Sequence, residues 1–248
     1  MDQEKEDFPI TALHEIKILQ GLQHDNIVRL IKMCRLPVEN LSRSKFYFTF
    51  KFCDRNLAGI LRNVQVKFSL GHIKSIMQQL LNALYFIHTN YIIHRDIKPA
   101  NILITRNDVH KLADFVMQGE TEQHQLQLIA SLCGSIEPSV WPDVDLLPLY
   151  NKMKLLEGER RKVYDRLKPY IQEPLALNLI DRLLILDPKQ RIDADNAFDS
   201  DFFYSDPPVA DLKELLSKYH SMFDLKQTSR NLNHQKSKFL NLPCEPIY

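Results

Sequence analysis

Seven apolar side chains constrain the fold of this chain more than any other feature. Ile73, Ile76, Met77, Leu80, Leu81, Leu84 and Ile87 fall at i, i+3, i+4, i+7, i+8, i+11 and i+14. That spacing places them on one face of an α-helix. Ser69 stands just ahead as an N-cap, so one long helix is expected over residues 70–88. Its apolar face must be covered, and core packing is the plain reading of the stripe. Upstream, Phe46, Phe48, Phe50 and Phe52 alternate with Tyr47, Thr49 and Lys51. Strict period two predicts a strand over 46–52, with Phe50 and Phe52 facing a core.

Shorter signals surround these two. Leu13, Ile16 and Leu19 share a helical stripe after Pro9, with Gly21 as a stop, which predicts a helix over 11–21. Ile27 to Met33 reads as a short strand. A polar loop at 94–101 follows Tyr91-Ile92-Ile93 and precedes Ile102-Leu103-Ile104-Thr105. The turn-forming Arg106-Asn107-Asp108 then leads to Val109-His110-Lys111-Leu112, the pattern of a small hairpin. Thr121 is an N-cap for a helix carrying Leu126, Ile129, Ala130 and Cys133. Pro174 starts another, with Leu175, Leu179, Ile180, Leu183 and Leu184 inward, ended by Asp187-Pro188. Beyond Tyr219 the pattern is polar and aperiodic, which predicts a tail over 220–248, mobile from Asn231 onward. The fold class expected is α+β: a small β-containing N-terminal part and a mostly helical body.

Composition removes several functions. Lys and Arg number 32 against 31 Asp and Glu, so no basic footprint for direct nucleic-acid binding exists. The six glycines are Gly21, Gly59, Gly71, Gly119, Gly134 and Gly158. The closest pair is twelve positions apart, so no Rossmann turn or Walker loop can be written within this sequence. Cys34, Cys53, Cys133 and Cys244 have neither close pairing nor metal-ligand spacing, which suits free thiols in a reducing compartment. The opening residues are acidic and polar, unlike a signal peptide. No apolar run reaches the 18 or so residues a membrane span needs. A nuclear or cytosolic protein is expected.

The chemistry is concentrated in His94-Arg95-Asp96-Ile97-Lys98-Pro99-Ala100-Asn101, with Ala113-Asp114-Phe115 after the hairpin. For any one of these residues a solvated surface loop is the simpler reading. Together they form the set that phosphoryl transfer needs. Asp96 would accept or orient the proton of a substrate hydroxyl, and Lys98 would neutralise charge on the transferred group. Asn101 and Asp114 would offer Mg²⁺ the oxygen ligands a hard cation requires.

On these residues the sequence resembles the protein kinases. Phe8-Pro9-Ile10-Thr11-Ala12-Leu13-His14-Glu15 is similar to the signature helix of the cyclin-dependent kinases, and Phe50-Lys51-Phe52-Cys53 to a gatekeeper and hinge. The runs at 63–68, 121–126, 132–136 and 185–193 resemble the transcriptional members of that family. The resemblance covers residue 4 to about residue 216. It implies a two-lobed kinase fold, ATP and Mg²⁺ as cofactors, and nuclear localisation. It also implies a cyclin T-type cyclin bound through Pro9 to Glu15, and a protein substrate, the RNA polymerase II C-terminal repeats. Asp96 then matches the catalytic aspartate, Lys98 the phosphate-contacting lysine, and Asn101 and Asp114 the metal ligands. Glu15 matches the partner of the ATP-orienting lysine. Phe52 and Cys53 would present hinge backbone groups to adenine, Leu103 would floor the ring, and Asn56 stands near the ribose.

The resemblance also has gaps. The domain expected over 1–219 is an incomplete kinase domain, with an N-lobe remnant at 1–53 and a C-lobe at 54–219. The family's glycine-rich loop and ATP-orienting lysine align ahead of Met1. Lys5 matches the loop after that lysine's strand, so Glu15 is expected without its usual partner. After Asp114-Phe115-Val116 the sequence passes directly to a later helix. The activation segment, the central helix of the C-lobe and the acidic partner of Arg191 are therefore expected to be missing. Without that helix the stripe from Ile73 to Ile87 should lie partly uncovered. The readings to be separated are a serine/threonine kinase whose copy here is incomplete and inactive, a non-catalytic module that binds a cyclin or regulator, and a non-functional product.

Overall fold

The computed structural model describes residues 19–36, 45–113, 122–218 and 245–246. In chain order these form β1 (Leu30–Leu36), β2 (Lys45–Phe50), β3 (Arg55–Asn56), α1 (Leu57–Leu61), α2 (Leu70–Thr89), β4 (Ile102–Ile104) and β5 (His110–Leu112). There follow α3 (Glu122–Cys133), α4 (Val163–Leu167), α5 (Pro174–Leu183), α6 (Ala194–Phe198), α7 (Asp201–Tyr204), α8 (Lys213–Ser217) and β6 (Glu245–Pro246). The chain divides into two compact units: residues 1–117 with 210–248, and residues 118–209.

The first unit is organised by α2. Ser69 caps it, its Oγ accepting from His72 N at 3.2 Å while His72 Nδ1 accepts from Ser69 N at 3.2 Å, so two otherwise orphaned amide donors are satisfied. One stretch of α2 buries Ala83 and Ile87 against Leu22, Ile27 and Leu112. Another buries Ile76 against Leu57, Ile60, Ile102, Ile104, Leu212 and Leu216. Each such large side chain contributes about 1.5–3 kcal/mol of hydrophobic stabilisation. The stripe is incompletely covered, as expected: Ile73 is 42% exposed, and Met77, Leu80 and Leu84 are only half-buried.

Two three-stranded sheets complete this unit, in the orders β2-β1-β6 and β3-β4-β5. β1 and β2 run antiparallel from Leu30↔Phe50 to Leu36↔Lys45, with an irregularity between Leu30 and Lys32. The strand expected at Ile27 to Met33 starts later, at Leu30, and Ile27 instead makes an isolated parallel bridge to Leu112. β2 ends at Phe50, so Phe52 lies beyond the strand. The expectation that Phe50 and Phe52 face a core is corrected: both are exposed, Phe52 to 65%. The cause is that Tyr47 and Phe48, on opposite faces of the strand, are exposed as well, so neither face of β2 is sealed. Only Glu245 and Pro246 of the expected tail are described, and they pair antiparallel with Arg35 and Cys34 of β1. Of the helix expected at 11–21, only residues 19–21 fall within the described residues, and these are helical.

The second unit is helical. Its core gathers Ala130 and Cys133 of α3, Val163 of α4, and Ile136, Val144 and Leu186. Gly134, at φ +96°, follows α3 where an added Cβ would meet Arg161 N at 3.1 Å, so the turn there requires glycine. α5 begins with Pro174 in its first turn and is capped by Glu173. Along α5, Ala176, Leu177 and Leu179 are the buried residues, whereas Leu175, Ile180 and Leu183 are half-buried. Arg191 donates to the carbonyls of Ile185 at 2.6 Å and Leu186 at 2.8 Å. Backbone oxygens thus occupy a guanidinium whose acidic partner was expected to be lost. Among the described residues no helix is long and apolar enough to cross a membrane.

Candidate active site

The 94–101 loop is built from short-range hydrogen bonds. His94 is buried, and its Nε2 contacts Ala113 O at 2.9 Å. Its Nδ1 accepts from Asp96 N at 3.2 Å. The ring therefore ties the start of the loop to the residue after β5. Arg95 adopts φ 66°, a conformation uncommon for a residue with a side chain, and the chain turns there. Residues Pro99–Asn101 form a single 3₁₀ turn, and Ala113 N donates to Asn101 O at 2.9 Å.

This framework brings three of the sequence-selected residues together. Lys98 Nζ lies 2.6 Å from Asp96 Oδ2. Asn101 Nδ2 donates to the same oxygen at 2.9 Å and to Asp96 O at 2.9 Å. The Lys98 hydrogen bond is the largest influence; with that of Asn101 it outweighs the opposing desolvation and holds the Asp96 carboxyl below its ordinary pKa. Asp96 is thus a carboxylate at neutral pH. With Nδ2 of Asn101 committed to Asp96, Oδ1 is the atom of that carboxamide able to ligate a hard cation.

Beside the loop lies a cavity of about 370 Å³ lined by Leu19, Val28, Phe50, Ala100, Asn101, Leu103 and Ala113. Among the described residues its walls are mostly apolar with one carboxamide, a composition suited to a flat organic ring beside a polar group. Leu103 contributes from β4, and Asn101 lies where cavity and loop meet. Cys53 is buried against Val28, Ala113 and Leu103, and burial pushes its thiol pKa up. Phe52 is exposed and is not among the described residues of this lining. Asn56 is committed locally, its Oδ1 accepting from Gly59 N at 2.8 Å as the N-cap of α1. Glu15 and Asp114 lie outside the described residues, as do residues 9–15, assigned to the cyclin-facing helix. Sequence reading missed Leu19, Val28 and Ala100 as wall residues, because isolated small or aliphatic residues carry no local signal.

The protein kinase domain model matches residues 1–137. Human cyclin-dependent kinase 9 is 46% identical over 297 residues, covering 95% of this chain and 80% of its own length. The zebrafish protein of that name is 45% identical over 311 residues, covering 99% and 83%. Both matched spans exceed the 248 residues present here, so each relative carries sequence within its span that this chain lacks. Among solved structures, the yeast RNA polymerase II CTD kinase CTDK-1 complex contains a chain that superposes with a TM-score of 0.68 at 24% identity, over 84% of this chain and 86% of that one. This likeness confirms the α+β protein-kinase fold. The chain belongs to the protein kinase family, in the branch that holds cyclin-dependent kinase 9.

Proposed function

We propose that this chain is a serine/threonine kinase core of the cyclin-dependent kinase 9 type that keeps the phosphoryl-transfer loop but does not turn over by itself. The observation that carries the reading is the Asp96–Lys98–Asn101 cluster, with one carboxylate oxygen held at 2.6 Å and 2.9 Å by a cation and an amide. Asp96 accepts and orients the proton of a substrate hydroxyl, and its lowered pKa keeps it ionised for that task. Lys98 offsets charge on the group in transfer. Mg·ATP, when bound, supplies the phosphoryl group and neutralises its developing charge. Asn101, with Asp114, would hold the metal; the neighbouring cavity, with Leu103 in its wall, would take the base, and the backbone groups of Phe52 and Cys53 would be offered to it.

Low turnover follows from an internal feature of the sequence. Residues 114–121 are all that separate Ala113 from α3, too few for an activation segment that docks a peptide. In related phosphoryl-transfer enzymes a single charge-stabilising group is worth about 10³–10⁵ in rate, and positioning of the acceptor hydroxyl also contributes. The solved relative's name, an RNA polymerase II CTD kinase, supports the polymerase C-terminal repeats as acceptor, and the name cyclin-dependent kinase 9 supports a cyclin partner; the sequence resemblance adds nuclear localisation and a cyclin T-type cyclin bound weakly through Pro9 to Glu15. The test is radiolabelled phosphate transfer to a C-terminal repeat peptide, beside Asp96→Asn. The expected result is transfer no greater than in Asp96→Asn, and transfer clearly above it contradicts the reading. Submicromolar affinity for cyclin T in a calorimetric titration would instead favour a cyclin-binding module.

A further inference from the structure

We propose that Asp108 is a positioning residue through which a C-terminal strap, residues 210–217, holds the 94–101 loop in register. Asp108 sits at the β4–β5 turn with φ 63°, a left-handed conformation that favours glycine. Aspartate is one of the few residues with a side chain that adopt it, and Asp108 is 6% exposed. Its two carboxylate oxygens serve different elements. Oδ2 accepts from Leu212 N at 2.7 Å, and Oδ1 contacts Nε2 of the buried His110 at 3.0 Å. Where the Asp108 oxygen accepts, Nε2 is the donor. Among the described residues the other ring nitrogen of His110 is buried without a hydrogen-bond partner, so there Asp108 is what anchors this ring through its nitrogens.

The strap is seated at further points. Ala210 N donates to Gly71 O at 3.1 Å, and Arg55 Nη2 donates to Leu216 O at 3.0 Å. Leu212 and Leu216 fill the core shared with Leu57, Ile60, Ile76, Ile102 and Ile104. From Asp108 a continuous path runs back to the site. His110 pairs with Ile104 and Leu112 with Ile102 across the hairpin. Ala113 N donates to Asn101 O, and Asn101 Nδ2 donates to Asp96. Gln79 of α2 clamps the same peptide, accepting from His110 N at 2.8 Å and donating to Asp108 O at 3.2 Å. A seated strap therefore fixes the turn, and the turn fixes the strand that delivers Asn101.

Hydrogen exchange of the whole chain, read by mass spectrometry, tests this without nucleotide or turnover, so its outcome is independent of the phosphoryl-transfer reading. Asp108→Gly removes the carboxylate while suiting the left-handed turn, and Asp108→Asn keeps an oxygen for Leu212 N. Asp108→Gly should speed exchange about tenfold or more in peptides covering both 210–217 and 94–113, with 174–183 unchanged. Asp108→Asn should restore most of that protection, because it keeps an acceptor oxygen for Leu212 N. Arg55→Ala should loosen 213–217 and leave 94–113 as in the parent. Loosening of the strap alone in Asp108→Gly, or an equal rise in 174–183, overturns the proposal.

Discussion

The 94–113 segment and the β1–β2 pair flank the same cavity, yet they are held by different physics. In 94–113 the contacts are polar, specific and mostly close in sequence: His94 to Ala113, Asn101 to Asp96, Lys98 to Asp96. Behind them lies a buried network in which Asn26 donates to Gln79 Oε1 and His110 O, both at 3.0 Å, and accepts from Asn82 at 3.0 Å. The β1–β2 pair is an antiparallel ladder, regular beyond Lys32, but Ile31, Tyr47, Phe48 and Phe50 are exposed. A ladder stabilises its own register, whereas resistance to opening comes from covered apolar surface. The difference teaches that the chemistry-bearing loop can be well ordered in a chain whose neighbouring sheet is weakly covered.

The comparison is broken most forcefully by truncation in each region. Leu81→Ala, at a side chain only 2% exposed, is predicted to cost about 2–5 kcal/mol. Phe48→Ala, at 40% exposure, should cost about 1 kcal/mol or less. Urea unfolding measures both, and equal losses would mean that β2 is as well packed as α2. A step smaller, Gln79→Leu leaves the His110 amide and an Asn26 donor without their acceptor. The predicted loss is about 1–3 kcal/mol, and a neutral result would remove the network from the account.

A still smaller effect sharpens the electrostatics of the loop. The folded pKa of Asp96 is depressed, first by Lys98 and then by Asn101. Its stabilising contribution is therefore present above the unfolded carboxyl pKa of about 3.9 and is lost as pH falls through the folded value. Lys98→Met should move the Asp96 titration upward in a ¹³C carboxyl NMR experiment. Since Lys98 is half exposed, the melting temperature near neutral pH should hardly change. An unmoved titration would mean that Asn101, not Lys98, sets the carboxyl.

Local patterns made much of this legible in the sequence. The stripe from Ile73 to Ile87 and the Ser69 cap give α2 to within a residue, because a helix is specified by its own spacing. The turn at 106–108 marks the hairpin for the same reason, and the loop residues Asp96, Lys98 and Asn101 do meet. What sequence could not show joins distant positions. Leu212 on Asp108, Gln79 on His110 and Pro246 beside Cys34 leave no periodic trace. Asn56 illustrates a different loss: its side chain was assigned to the ribose neighbourhood, and a helix start one residue later claims its oxygen. Phe50 and Phe52 misled because period two predicts a strand but not what covers it.

Residue-resolved amide exchange by NMR on the unaltered chain tests the contrast most directly. The Leu112 and Ala113 amides, bonded to Asn26 O and Asn101 O, should exchange at or near the rate of global unfolding. Those of β2 should exchange about a hundredfold faster, through local opening. Equal protection in the two regions, or a β2 more protected than residues 112–113, would contradict the account.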